Sequence, residues 1–240
     1  MYFFIIMVYV IVGYFIAALL HELGHIWMGM LQKFKFYLLV IGPIGIKGTD
    51  SGCKFYIEKN KSYWGGVGGT LPIDNDARNI NKFSKILIAG PVVSLIEGTV
   101  ILAMGIFSKW DFLLVLGVMS ICIGMTSLIP IKWGMFRTDG GRWLRIHSTN
   151  PDKANLEYAI WNIVQSSIIY KGFAQIKQDD INVLLASEDI QEVYLGYYYS
   201  YYFNFENSRR EQANKDLQNL RSISDKVSKA VRKVYTIEET

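Results

Sequence analysis

Residues 1–20 carry no charged side chain. At about 1.5 Å of rise per residue, such a run crosses the hydrocarbon core of a bilayer as a helix. The apolar text continues through His21 to about Leu31, so a first membrane helix is predicted over about 2–31. No Lys or Arg precedes it and no small-residue cleavage site closes it, so it is expected to remain in the mature protein rather than leave as a secretory signal. A second apolar run, about 86–108, lies between Lys85 and Lys109 with Glu97 as its one charge; a third, about 112–131, has none. Only Lys109, Trp110 and Asp111 separate these two, which suits a tight turn between antiparallel helices.

Between the first and second runs the pattern changes. Residues 34–41 and 54–58 read as short strands, broken by Gly42-Pro43, Gly48, Gly52, Gly65-Gly66 and Gly68-Gly69. A small β-rich, hairpin-built insertion is expected over about 34–74. Beyond Asn150 charge rises and helices are predicted at 153–171, 189–204 and 209–234. Tyr197, Tyr198, Tyr199, Tyr201, Tyr202 and Phe203 cluster in the middle one. Leu195, Gly196 and Tyr199 are spaced as in the first helix of a tetratricopeptide-like hairpin, but the plainer reading is a helical bundle packing its own tyrosines. The expected fold is mostly α and membrane-integral, with a core over 1–149 and a C-terminal helical domain over 150–240.

Composition agrees: 51% hydrophobic and 19% charged residues exclude an ordinary cytosolic domain. A net charge of +4, with lysines not massed into one stripe, argues for lipid headgroups as partner and against nucleic acid. The segment between the first two helices carries Lys33, Lys35, Lys47, Lys54, Lys59, Lys61, Arg78, Lys82 and Lys85, whereas the next turn carries only Lys109. The lysine-rich side is therefore expected in the cytoplasm, and with it everything after Lys132. A multi-pass protein of a bacterial cell membrane is the expected location. The two cysteines, Cys53 and Cys122, lie in a polar loop and an apolar run, and no disulfide is expected.

Chemistry enters at His21, Glu22, Leu23, Gly24 and His25, an HExxH motif on a predicted helix. Positions i and i+4 share a helix face, so both imidazoles reach one metal ion while Glu22 sits beside it as general base. Two of the three histidines in the chain occupy this turn. Ionisable groups in an apolar helix are costly unless they pair or bind metal. One zinc ion per chain is the expected cofactor. A catalytic zinc takes a third protein ligand and keeps one position open. Asp139, in Arg137-Thr138-Asp139-Gly140-Gly141 after the third helix, returns to the membrane side where the first helix ends; His147 is the rival ligand.

These motifs, in this order, resemble the site-2 protease family of intramembrane zinc metalloproteases. The resemblance covers about the first 145 residues: HELGH, then Ala89-Gly90-Pro91 early in the second helix, then Pro130 and Asp139-Gly140 after the third. It implies zinc ligands at His21, His25 and Asp139, a general base at Glu22, and membrane proteins or membrane-associated peptides as substrates. Ser94 and Ser127 stand where family members commonly carry asparagine, and Pro130 is further from Asp139 than in the commonest pattern.

Glu97 lies on the same helix face as Ser94, and a charge there costs on the order of 3 kcal/mol in a membrane helix. It reads as a protonated carboxyl bonded to a neighbouring helix, or more sharply as a proton or water relay. The β-rich insertion reads either as a cap or as a strand edge that pairs with an unwound substrate. A function of another class is a non-catalytic membrane adaptor, with a structural metal site and a C-terminal domain that binds a protein partner. The intact Glu22 argues against it, since a structural site needs no base. A soluble secreted zincin is excluded because removing the first segment would leave HELGH unanchored.

Overall fold

The computed structural model describes residues 2–74, 76, 78–134 and 136–237 and is mostly helical. The chain divides into two compact units, residues 1–130 with 138–143, and residues 131–137 with 144–240.

The first unit is built on α1 (Tyr2–Leu31), α2 (Asn79–Ser108) and α3 (Asp111–Leu128), all long and apolar enough to cross a membrane. Phe3, Ile11, Ile96 and Phe107 are exposed along them, which suits lipid rather than water as solvent. With no hydrophobic drive between helices in lipid, close approach depends on small residues. Gly98 of α2 lies so near α3 that a Cβ there would stand 2.9 Å from the Ser120 Cβ. α2 begins at Asn79 rather than near 86, because its polar first turns, with Asn81, Lys82 and Lys85, continue the helix beyond the apolar stretch. α3 ends at Leu128 rather than near 131, since Pro130 disfavours helix in the residue before it.

Between α1 and α2 four strands form one antiparallel sheet: β1 (Lys35–Ile41), β2 (Ile44–Thr49), β3 (Gly52–Ile57) and β4 (Val67–Leu71), in the order β3-β2-β1-β4. Gly42 turns β1 into β2 with φ of 55°, and Thr49 Oγ1 donates to Gly52 O at 2.8 Å across the β2–β3 turn. β2 and β4 were not marked as separate strands by the sequence pattern, because their glycines interrupt the apolar alternation. β4 is an end strand, and it runs beside α1.

The second unit holds the short hairpin β5 (Lys132–Trp133) and β6 (Phe136–Arg137), the end of α4 (Asp139–Ile146), then α5 (Pro151–Ile169), α6 (Gln178–Leu185), α7 (Ile190–Glu206), α8 (Arg210–Ile223) and α9 (Lys229–Val234). Asn150 caps α5 by accepting from Asp152 N, with Pro151 in the first turn, and Asp189 caps α7 by accepting from Gln191 N. α6 was not expected, and the helix expected over 209–234 is two. Val227 is extended and Ser228 starts α9 afresh by accepting from Val231 N. Leu156, Ile163, Ile181, Leu184, Leu195, Tyr199 and Phe203 form the core. The tyrosines pack inward: the Tyr198 ring meets those of Tyr199, Tyr202, Phe173 and Tyr235.

Candidate metal centre

α1 sets His21 and His25 one turn apart on one buried face, directed at α2. His25 Nδ1 donates to the Ile86 carbonyl at 2.7 Å, which leaves Nε2 as the nitrogen with a free lone pair. His21 Nδ1 lies 3.0 Å from Ser94 Oγ, a hydroxyl that accepts when His21 Nε2 likewise carries the lone pair. Gly90 makes room for the second ring, since a Cβ there would stand 2.3 Å from His25 Nε2. The Ala89-Gly90-Pro91 motif thus owes its glycine to the approach of an imidazole.

Asp139 arrives from the far end of α3. Thr138 Oγ1 donates to Ile129 O at 2.6 Å and accepts from Gly141 N at 3.3 Å, capping α4 and binding its start to the end of α3. Gly140 seats that start: a Cβ there would come 2.0 Å from Leu128 O. The Arg142 guanidinium lies over the Phe83 ring of α2, 4.8 Å from its centroid.

The result is a compact donor set. Asp139 Oδ2 is 3.4 Å from His21 Nε2 and 3.4 Å from His25 Nε2, and the two Nε2 atoms are 3.1 Å apart. Ligands about 2.0–2.1 Å from a tetrahedral zinc ion lie about 3.3 Å from one another. The triangle therefore fits a metal ion, and among the described residues these three are the group that does. Burial pushes the Asp139 carboxyl up, but the two adjacent imidazoles hold it well below the ordinary carboxylate range, ready to act as an anionic ligand. His147 is exposed beyond the end of α4, in the second unit.

Glu22 follows His21 and faces β4. A Cβ at Gly68 would stand 2.8 Å from Glu22 Oε2, and one at Gly66, where φ is 121°, 3.2 Å from Oε1. Gly66 and Gly68, read in sequence among the strand breakers, are where the backbone meets this carboxylate. The Ile86 carbonyl, Gly68 and Thr138 were not singled out from sequence. A backbone acceptor and a close approach leave no side-chain signature, whereas Thr138 before Asp139 is a legible helix cap.

The sequence pattern of peptidase family M50 matches residues 3–236, nearly the whole chain. No curated protein and no solved structure shows significant similarity. With that pattern matched over a chain that carries HELGH on α1, Gly90-Pro91 on α2 and Asp139 beside both histidines, the chain belongs to peptidase family M50, the site-2 protease family of metalloproteases.

Proposed function

We propose that the protein is a zinc-dependent intramembrane endopeptidase that hydrolyses peptide bonds of membrane proteins or membrane-associated peptides. The observation that carries this reading is the triangle of His21 Nε2, His25 Nε2 and Asp139 Oδ2 with the Glu22 carboxylate next to it. These three side chains are the ligands of one zinc ion. When bound, zinc acidifies a water ligand and polarises the scissile carbonyl.

Glu22 accepts the proton of the attacking water as its oxygen bonds to the carbonyl carbon. It returns that proton to the amide nitrogen as the C–N bond breaks, so the products are a carboxylate and an amine. Ile86 O fixes the tautomer of His25 and Ser94 Oγ orients the His21 ring, as outer partners of metal-bound histidines do. β4, with one sheet neighbour, offers an edge on which an unwound substrate adds as a strand beside Glu22. Peptide chemistry needs such an extended backbone, which a membrane helix does not present. In this reading the sheet and the C-terminal helices lie in the cytoplasm, which the lysine distribution supports.

The test is zinc content of the purified full chain together with cleavage of a helical membrane reporter. Wild type is expected to hold one zinc per chain and to cut. Glu22→Gln, of equal volume but unable to take up the proton, is expected to keep its zinc and lose at least about a hundredfold in turnover, the lower range of general-base effects. Near-normal turnover in Glu22→Gln, or a wild type without zinc, would overturn the reading.

A further inference from the structure

Asp139 is tied to the end of α3 through Thr138 and Gly140, yet the two imidazoles it meets belong to α1 and are held by α2. A hold at one end fixes where α4 starts but not the direction in which it leaves. Arg142, one turn after Asp139, makes a contact that reaches α2: its guanidinium lies over the Phe83 ring, 4.8 Å from the centroid. Both side chains are half-buried. Residues 138–143 belong to the first unit, so this contact is internal to it.

Phe83 stands on a turn that is itself pegged. Asn79, almost fully buried at the start of α2, donates from Nδ2 to Asp74 O and to Asp74 Oδ1, both at 2.9 Å, and Lys82 Nζ donates to Asn79 Oδ1 at 2.8 Å. Lys82 also lies over the ring of Phe34, which is buried just beyond the end of α1. One turn after Phe83 comes Ile86, whose carbonyl accepts from His25 Nδ1 at 2.7 Å. A single turn of α2 thus carries both the partner of His25 and the seat of Arg142, and it refers ligands from two different elements to one frame. Donors 3.1–3.4 Å apart tolerate displacements of only about 0.5 Å before they cease to fit one ion.

We propose that Arg142 is a positioning residue of the metal centre: seated on Phe83, it keeps Asp139 turned towards the two histidines. The inference rests on the metalloprotease reading and adds to it a residue that acts on the ion only through Asp139. The sign of its effect sets it apart from a plain charge. A guanidinium near a metal site repels a second cation, so on Coulombic grounds alone its removal tightens zinc binding. Removal of a residue that positions a ligand weakens it.

The experiment measures zinc affinity, by competition with a chelator, on purified full chains in lipid: Arg142→Met, Phe83→Leu, their double variant, Phe83→Tyr and Lys85→Met. Cleavage of the membrane reporter is followed as zinc is raised. Arg142→Met and Phe83→Leu remove the cation or the aromatic face at little change in bulk, and each is expected to weaken zinc binding about tenfold, the lower end of what outer-shell changes cost. The double variant should be no weaker than either single one, because each removes the same contact. Phe83→Tyr keeps the ring face and should bind zinc as wild type does. Lys85→Met takes an exposed charge from the same stretch of α2 and should not weaken binding. Cleavage by Arg142→Met should fall at limiting zinc and recover as zinc is raised. Tighter or unchanged zinc binding in Arg142→Met, multiplied losses in the double variant, failure of Phe83→Tyr to retain affinity, an equal loss in Lys85→Met, or a loss of cleavage that zinc does not restore would each overturn the inference. A wild type without zinc would overturn the metalloprotease reading as well, so the two failures are told apart.

Discussion

Asp139 and His147 stand eight residues apart in sequence, and before any coordinates both were eligible as third ligand. What separates them is local. Asp139 is the first residue of α4, held at the end of α3 by Thr138 and Gly140, whereas His147 is exposed past that helix. Asp139→Ala is therefore expected to weaken zinc binding beyond the about 10–100-fold that outer-shell changes cost, while His147→Ala leaves zinc and activity near wild type. Metal analysis of both purified variants decides it. Full zinc in Asp139→Ala with loss in His147→Ala would reassign the ligand. His21, Glu22 and His25 were legible because one helical turn contains all three, so the 3.6-residue period alone brings them together. Ser94 was legible only as a departure from a family pattern. Its bond to His21 depends on how α1 crosses α2, which no local rule specifies.

At the level of elements, long apolar runs announced α1, α2 and α3, since length and the absence of charge suffice to mark a membrane span. Shorter pieces were less visible: β4 is too rich in glycine to alternate, α6 is a helix of only eight residues, and the break before α9 depends on a serine cap. Another feature hidden from sequence is the ion cluster of the second unit. Arg145 Nη1 lies 2.9 Å from Glu192 Oε1, Arg137 Nη2 lies 3.1 Å from the same oxygen, and Arg145 Nε lies 3.8 Å from Glu157 Oε2. Arg145, Glu157 and Glu192 are all buried.

Burial pushes the Glu192 carboxyl up, but the Ser187 hydroxyl and the Arg145 and Arg137 guanidinium groups outweigh it and hold it below its ordinary value. A carboxyl lowered in the folded state adds stability above its unfolded value, about 4.3, and that contribution is lost as pH falls through the folded value. The full chain should hold its tyrosine packing at neutral pH and lose it progressively below about pH 4. Glu192→Gln should flatten this acid limb and cost about 3 kcal/mol at pH 7, because Arg145 loses its closest partner. Near-ultraviolet circular dichroism of the Tyr198, Tyr199 and Tyr202 cluster reads both effects. An unchanged acid limb in Glu192→Gln would show that another group governs it.

The whole molecule poses the question of which way it faces, and here sequence and fold supply complementary parts. With α1, α2 and α3 all crossing, as proposed, the sheet between α1 and α2 lies on one side of a membrane and the α2–α3 turn on the other. That turn is short and ends α2 with Lys109 in the left-handed region, whereas the sheet segment carries nearly all the flanking lysines. In the proposed orientation, which follows retention of lysine on the cytoplasmic side, the sheet, Asp139 and the chain after α3 lie inside and Lys109 outside. Cys53 and Cys122 are both free and exposed, so a test begins by replacing them with serine. Single cysteines are then placed by Lys109→Cys, Lys59→Cys or Lys215→Cys. With an impermeant thiol reagent on intact cells, the first is expected to label, and the other two only after permeabilisation. Labelling of Lys59→Cys and Lys215→Cys from outside with protection of Lys109→Cys would invert the topology. It would move the proposed cleavage site to the outer face, and substrates would then have to present their unwound segment there. Reaction of Lys59→Cys but not Lys215→Cys from outside would show instead that the chain crosses an odd number of times between them, so that one of α2 and α3 does not form a span in the membrane.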